Sequence, residues 1–158
     1  MSEEKKWGQE ASILLVAVDF SHCSRLALRK AKDLHEQGRG RIMAFHVIDH
    51  DFVEQCVRDR LGKKGEIKKK LFLGAKSRLQ EFVRTEGLED NKVEKVVCEG
   101  APCVEINKKA VEIDAEMIII GSKGKSDDMK SIFFGSTAER VLRFITRPVL
   151  CVPPDADH

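Results

Sequence analysis

Five short apolar runs divide the chain, and the segments between most of them repeat apolar residues every three or four positions. The first run, residues 13–18, is wholly apolar and ends at Asp19, which is typical of a strand that is covered on both faces. The third run alternates more, which predicts a strand nearer an edge of the sheet. The predicted strands are Ile13–Val18, Ile42–Ile48, Val93–Cys98, Met117–Ile120 and Pro148–Val152.

Apolar stripes at helical spacing predict a helix after each of the first four strands. Ser21 is a candidate N-cap of the first helix, and Pro102 suits the first turn of the third. Residues 49–65 are polar and predict an irregular connection between the second strand and its helix. The four stripes are Leu26, Ala27, Ala31 and Leu34; Leu71, Ala75, Leu79 and Phe82; Cys103, Ile106, Ala110 and Ile113; and Ala138, Val141, Leu142 and Ile145.

This alternation of strands and helices predicts an α/β fold with a single five-stranded parallel sheet and helices on both faces. Such sheets bind ligands beyond the carboxyl ends of their strands, at the point where the strand order reverses. In the order 3-2-1-4-5, the reversal lies between strands one and four. We therefore expect Asp19, which ends strand one, and Gly121, which ends strand four, to meet at one crevice.

The segment between strand four and the last helix carries the clearest candidate chemistry. Gly121 and Gly124 follow the strand, and glycine allows tight turns and a close approach of the backbone to a ligand. Residues 135–137, Gly-Ser-Thr, then open the last helix, where N–H groups, hydroxyls and the positive end of the helix dipole favour phosphate. Two such features around one loop predict a site for the phosphates of a nucleotide.

Two better-known phosphate motifs are absent from the sequence. Gly124-Lys125-Ser126 resembles the end of a Walker A loop, but that motif needs a glycine at the position of Ile119. The dinucleotide-binding pattern G-x-G-x-x-G should follow the first strand, where residues 19–22 are Asp-Phe-Ser-His. The candidate site is therefore neither a P-loop nor a Rossmann dinucleotide site.

Composition narrows the class of protein. The 158 residues suffice for one domain, predicted over residues 12–153 between a flexible tail (1–11) and a C-terminal tail (154–158). A net charge of +2 gives no strong attraction to nucleic acid or membrane, and no apolar run approaches bilayer length. Residues 1–7 do not resemble a signal peptide, and the five cysteines include no C-x-x-C pair. We therefore predict a cytoplasmic protein.

The cysteines leave one alternative open. Cys98 and Cys103 could meet across the turn at Gly100 as a redox pair. Buried cysteine more commonly acts as a small apolar residue, and this interpretation is favoured here.

With these residues in place, the chain resembles the universal stress protein family from about Ser12 to Pro153. The likeness includes the opening ILLVAVDFS, the strand ending HVID, the Gly100-x-Pro102 turn and the signature G-x-x-G…G-[ST], which begins at Gly121. It implies the adenine nucleotide alpha hydrolase-like form of the predicted fold. The ATP-binding branch of the family places nine residues before the third glycine, whereas residues 125–134 make ten here.

The resemblance implies that the ligand is ATP, with or without Mg²⁺. It places the adenosine at the ends of strands one, two and four, and the phosphates between the loop and the last helix. It also implies a homodimer through the last strand, Pro148–Val152, and a protein partner that the sequence does not identify. The implied contacts are Ala17, Val18, Asp19, Val47, Ile120 and Gly121 for the adenosine, and Gly124, Gly135, Ser136 and Thr137 for the phosphates.

Several of these residues also have a purely structural interpretation. Asp19 could serve only to cap the first helix, and Gly121 and Gly124 could simply end a strand. Lys123 and Lys125 could neutralise phosphate charge or could be ordinary exposed lysines. The convergence of the strand ends with the family resemblance favours ligand binding.

Metal and nucleic-acid sites are weakly supported. Asp127 and Asp128 could hold Mg²⁺ through water, but their charge could equally oppose ATP, and no metal ligand is assigned. His22, His46 and His50 are interpreted as structural or solvent-facing. The basic stretch 58–70 contains no aromatic residue that could stack on bases, so it is interpreted as a solvated helix face anchored by Leu61, Ile67 and Leu71.

Two functional hypotheses follow. The first is a regulatory protein that binds ATP without a catalytic role, and whose bound and free states differ in the order of residues 122–134. No general base, arginine finger or metal ligand set for phosphoryl transfer is evident, so any ATPase activity should be slow. The second is a dimeric interaction module that binds no nucleotide, which the ten-residue spacer favours.

Overall fold

Strands and helices alternate through the computed structural model, which describes residues 12–124 and 134–155. The strands are β1 (Ile13–Ala17), β2 (Arg41–Asp49), β3 (Val93–Gly100), β4 (Met117–Gly121) and β5 (Val149–Val152). The helices are α1 (His22–Glu36), α2 (His50–Arg58), α3 (Lys64–Thr85), α4 (Pro102–Glu112) and α5 (Ser136–Arg143), with a short 3₁₀ helix (Asp90–Lys92) before β3. The predicted tail 1–11 and residues 156–158 lie outside the described residues.

The five strands form one parallel sheet in the order β3-β2-β1-β4-β5, as predicted. β1 lies at the centre, with Val16 beside Ala44 of β2 and beside Ile119 of β4. β3 and β5 form the two edges, which confirms the edge position predicted for the third strand. The strand order therefore reverses between β1 and β4.

Two apolar layers explain why the first strand is apolar throughout. Leu14 and Val16 of β1 belong to the core cluster that includes α1 and α3 residues. Leu15 and Ala17 belong to the second cluster, with residues of α4 and α5. Since successive side chains of a strand point to opposite faces, both faces of β1 are buried and no polar position is tolerated.

The prediction of an irregular connection over residues 49–65 is wrong in part, because α2 occupies residues 50–58. Asp49 caps this helix by accepting a hydrogen bond from the Asp51 N–H at 2.9 Å. Val53 and Cys56 are buried, three residues apart on one face. Phe52, Val53, Cys56 and Val57 repeat at helical spacing, so the sequence contained a signal for this short helix.

The last helix is shorter than its predicted apolar stripe. α5 ends at Arg143, and Ile145 is 54% exposed instead of buried. The chain turns here toward β5, and the Thr146 hydroxyl donates to the Asn107 side-chain oxygen at 3.2 Å. The apolar stripe therefore predicted a helix that extends two residues beyond the observed end.

The basic stretch 58–70 lies across the end of α2 and the start of α3. Ile67 is buried and Leu71 half-buried, as expected of anchors, but Leu61 is exposed.

Among the described residues, no helix combines the length and the apolar character needed to cross a bilayer.

All five cysteines are free thiols in buried or half-buried positions. Cys98, Cys103 and Cys151 pack against the core cluster on the α4 side of the sheet. Burial raises the pKa of the Cys98 thiol to about 11, which disfavours the reactive thiolate. These environments support the apolar interpretation of the cysteines.

A buried carboxylate joins α1 to the end of α3. Arg25 Nη1 and Arg29 Nε each donate to a Glu86 oxygen at 2.7 Å, and the Glu86 side chain is only 7% exposed. Burial acts to raise the pKa of Glu86, but the hydrogen bonds from Arg29 and Arg25 outweigh it and hold the pKa below the ordinary 4.5. The ionised carboxylate therefore stabilises the fold.

We expect Glu86→Gln to lower the free energy of unfolding at pH 7 by about 1.5–3 kcal/mol, the range for hydrogen bonds to charged groups. Because the folded pKa is lowered, the stabilisation is complete above the unfolded pKa, near 4.5, and is lost as pH falls through the folded value. Urea unfolding of both proteins should therefore converge below pH 4.5. Glu81→Gln, at an exposed pair with Arg84, is the control and should change stability by less than about 0.5 kcal/mol. A gap that persists at low pH would contradict this assignment.

Candidate functional site

The carboxyl ends of β1, β2 and β4 border a crevice between these strands and the starts of α4 and α5. It has a volume of about 80 Å³, several times the roughly 10–15 Å³ that one water molecule needs, so the protein's own side chains do not fill it. The structure brings together nine of the eleven predicted site residues here: Ala17, Val18, Asp19, Val47, Ile120, Gly121, Lys123, Gly124 and Thr137. Gly135 and Ser136 do not line it.

Asp19 is held at the crevice by the turn that starts α1. Its carboxylate accepts a hydrogen bond from the Ser21 N–H at 2.9 Å, and the Ser21 hydroxyl caps α1 by accepting from the Ser24 N–H. Asp19 therefore supports the start of α1 and also lines the crevice.

Apolar residues that the sequence analysis did not name complete the wall. Phe45 lies two residues before Val47 in β2, so both side chains project from the same face of the sheet. Pro102 and Ile106 come from one face of α4, and Ala138 from α5. Because alternate residues of a strand face the same side, the position of Phe45 two residues before Val47 could have identified it as a wall residue. Such a wall suits the flat face of a base.

Lys123 is buried, in contrast to an ordinary loop lysine. Only 5% of it is exposed, and it borders the crevice beside Gly124. No carboxylate in residues 12–124 or 134–155 forms an ion pair with it. The low exposure belongs to the residue as a whole, since no buried side-chain nitrogen among the described residues is left without a hydrogen-bond partner. Its position beside the crevice makes Lys123 a candidate partner for an anionic ligand.

The start of α5 is fixed by a hydrogen bond across the loop. The Gly135 N–H donates to the Ser122 carbonyl at 2.6 Å, so this predicted phosphate donor is already engaged. Gly135 forms the N-cap, and no side chain caps the helix. The N–H groups of the first turn, including that of Thr137 at the crevice, remain the candidate phosphate donors. Lys125, Asp127 and Asp128 lie outside the described residues.

Gly121 has a structural role that does not involve a ligand. A Cβ atom at this position would lie 2.6 Å from the Cys23 Cβ and 2.7 Å from the Cys23 carbonyl carbon. α1 therefore packs directly on the end of β4, and only glycine permits that distance. This contact brings the start of α1 to the crevice.

The histidines occupy structural or surface positions, and the described residues offer no metal centre. His46 Nδ1 is 2.7 Å from the Val18 carbonyl, His50 pairs with Glu99, and His22 lies 3.4 Å from Asp155. Within residues 12–124 and 134–155, no three His, Cys, Asp or Glu side chains are grouped so that they could hold a metal ion.

Comparison with known proteins yields consistent matches. The model of the universal stress protein family matches residues 11–153. Universal stress protein MJ0577 of Methanocaldococcus jannaschii is 32% identical over 155 residues, which cover 88% of this chain and 93% of that protein. The solved structure of MJ0577 aligns with a TM-score of 0.76 at 28% identity, covering 91% of this chain and 96% of that one. A universal stress protein from Archaeoglobus fulgidus in complex with dAMP aligns with a TM-score of 0.54 at 25% identity, covering 90% and 97%.

Proposed function

Because the chain belongs to the universal stress protein family, we propose that it binds an adenine nucleotide, and ATP in particular, in the crevice between β1 and β4. The observation that carries this proposal is the buried Lys123 beside Gly124 at the point where the strand order reverses. A lysine, an apolar wall and a helix start converge there. Together they match a ligand with a flat base at one end and negative charge at the other.

The crevice divides into an apolar part and a polar part. Val47, Phe45 and Ile120 would contact the base, and the Asp19 carboxylate would accept a hydrogen bond from the base or the ribose. Lys123 and the Thr137 N–H at the start of α5 would contact phosphate. Since the enclosed space is smaller than a nucleotide, the phosphates would extend across the mouth, toward Gly124 and Ser136.

A relative supports the choice of base. The Archaeoglobus fulgidus protein, which aligns over 90% of this chain, was solved in complex with dAMP. That ligand contains adenine and one phosphate, so it supports an adenine nucleotide without fixing the number of phosphates. ATP is our proposal because Lys123 and the start of α5 both border the crevice and would offer contacts to a longer phosphate chain. Mg²⁺ would then be held chiefly by phosphate oxygens and water.

We propose a regulatory role rather than catalysis. ATP would act by binding one state of the protein more tightly than another, which shifts the population of the two. Most of the residues 122–134, whose order was predicted to differ between these states, lie outside the described residues. The open edge of β5 would pair two copies of the chain into a homodimer. The odd number of cysteines favours a reducing compartment and hence the cytoplasm.

Titration calorimetry with ATP tests the proposal directly. We expect one ATP per chain with a Kd below about 100 μM, which corresponds to roughly 5.5 kcal/mol of binding free energy. GTP should bind more weakly, because the wall and Asp19 are assigned to adenine. A mass spectrum of gently purified protein should show retained adenine nucleotide. No heat at a protein concentration well above 100 μM would eliminate the proposal.

Two observations favour a second candidate, an interaction module that binds no nucleotide. The spacer of ten residues before Gly135 is one longer than in the ATP-binding branch. The Gly135 N–H is also engaged by the Ser122 carbonyl and is not available to phosphate. Under this candidate, the purified protein carries no nucleotide and still dimerises, so mass spectrometry and calorimetry separate the two.

A further inference from the structure

A second cavity opens on the other side of Asp19 and Val47, between the ends of β1 and β2 and the helices α2 and α3. Its volume is about 460 Å³. We call it the α3 groove, and it is lined by Asp19, Phe20, His46, Val47, Ile48, Asp49, Phe52, Lys70, Leu71, Gly74, Ala75 and Arg78. Since the crevice is bordered by α4 and α5, the two cavities lie toward opposite helix layers and share only Asp19 and Val47.

The wall formed by α3 has a glycine at its centre. Lys70, Gly74 and Arg78 are spaced four residues apart, so they follow one face of the helix. Glycine destabilises the interior of a helix relative to alanine. No packing contact requires it here, because a Cβ at Gly74 would meet no atom within 4 Å. Its effect is to leave the middle of this wall free of any side chain.

The cationic residues of the groove lie on its α3 wall, and its two carboxylates lie at the ends of β1 and β2. Neither Lys70 nor Arg78 forms an ion pair with any carboxylate in the described parts of the chain. The two acidic residues of the lining each accept a backbone N–H at a helix start. Asp19 accepts from Ser21 and Asp49 from Asp51. The exposed α3 wall is therefore the cationic side of the groove.

Aromatic rings surround this charge. The Arg78 guanidinium stacks on the Phe20 ring, 4.3 Å from its centre, and the Phe20 ring lies 4.5 Å from that of His46. Phe20 holds this position with φ of 66°, an unusual value for a bulky residue. Stacking keeps the Arg78 charge at the groove. Phe52 projects from α2 and is 54% exposed, so it offers an apolar surface to a ligand.

We propose that the α3 groove binds a small planar aromatic molecule that carries an anionic group. The ring would lie against Phe52 over the space that Gly74 leaves open, and the anion would pair with Lys70 and Arg78. Either a carboxylate or a phosphate ester provides this chemistry. Binding requires no nucleotide, so the proposal is independent of the function assigned to the crevice.

NMR titration of the ¹⁵N-labelled protein without nucleotide tests the groove. Benzoate and phenyl phosphate are the two probes; benzyl alcohol supplies the ring without the charge, and acetate and inorganic phosphate supply the charge without the ring. We expect amide shifts at Phe20, Phe52 and Gly74 with at least one of the two probes, with a Kd of about 1 mM. The preferred probe identifies the anion. Equal binding of benzyl alcohol, or no shift at these amides with either probe at about 20 mM, would overturn the proposal.

Variants locate the binding. Gly74→Leu should fill the groove and weaken the probe at least about tenfold, whereas Gly65→Leu, at another open glycine of α3 outside the groove, should not change it. Arg78→Gln should weaken binding about three- to tenfold, and Arg84→Gln should have no effect. Wild-type affinity in both Gly74→Leu and Arg78→Gln would show that the probe binds elsewhere. Unchanged amide spectra outside α3 would verify that the variants are folded.

Discussion

Valine in place of Gly124 is expected to abolish ATP binding. Gly124 lines the crevice next to the buried Lys123, so a branched side chain there would occupy the position proposed for the phosphates. We expect the affinity measured by calorimetry to fall at least about 100-fold, equivalent to about 2.8 kcal/mol. The free energy of unfolding should change by less than about 1 kcal/mol, because Gly124 follows β4 in a loop and is not part of the core.

The control for this variant is Gly65→Val. Gly65 lies in α3 and does not line the crevice, and a Cβ there would meet no atom within 4 Å, so valine introduces the same side chain outside the site. ATP affinity should match that of the wild type. If Gly124→Val binds ATP as tightly as the wild type, then phosphate does not lie beside this glycine. If the wild type itself binds no ATP, the second candidate function is supported instead.

Much of the fold could be predicted because the helix layers on both faces of the sheet restrict which residues its central strands can contain. Residues 13–18 must be apolar at every position when two faces are covered, and this made β1 unmistakable. The reversal of strand order then brought Asp19 and Gly121 to one crevice, as expected. Connectivity and burial thus fixed the place of the candidate site from local patterns alone.

Most of the features that the sequence did not predict depend on contacts between residues that are distant in sequence. α2 is an exception, because Phe52, Val53, Cys56 and Val57 are spaced as on one side of a helix and gave a local signal. Burial of Lys123 depends on packing around the end of β4, and nothing in its neighbours predicts it. The bond from Gly135 to Ser122 spans a loop, so the sequence could identify the donor but not its partner.

Gly121→Ala should be the most destabilising single-methyl change at the site. The new Cβ would meet the Cys23 Cβ at 2.6 Å and its backbone carbon at 2.7 Å, so α1 or β4 must shift as a unit. Overpacking of this kind typically costs about 1–3 kcal/mol, and we expect the upper end because a backbone atom is involved. Equilibrium urea unfolding, followed by circular dichroism, measures the loss.

Gly74→Ala gives a matched control in which the same methyl group has the opposite effect. Its Cβ would meet no atom within 4 Å and it lies inside α3, so alanine should raise the free energy of unfolding by about 0.5–1 kcal/mol. The chemical change is identical in the two variants, so opposite signs of the change in unfolding free energy must come from the surroundings of each glycine. Should Gly121→Ala prove as stable as the wild type, α1 does not pack closely on β4, and a ligand role would be the remaining reason for glycine at that position.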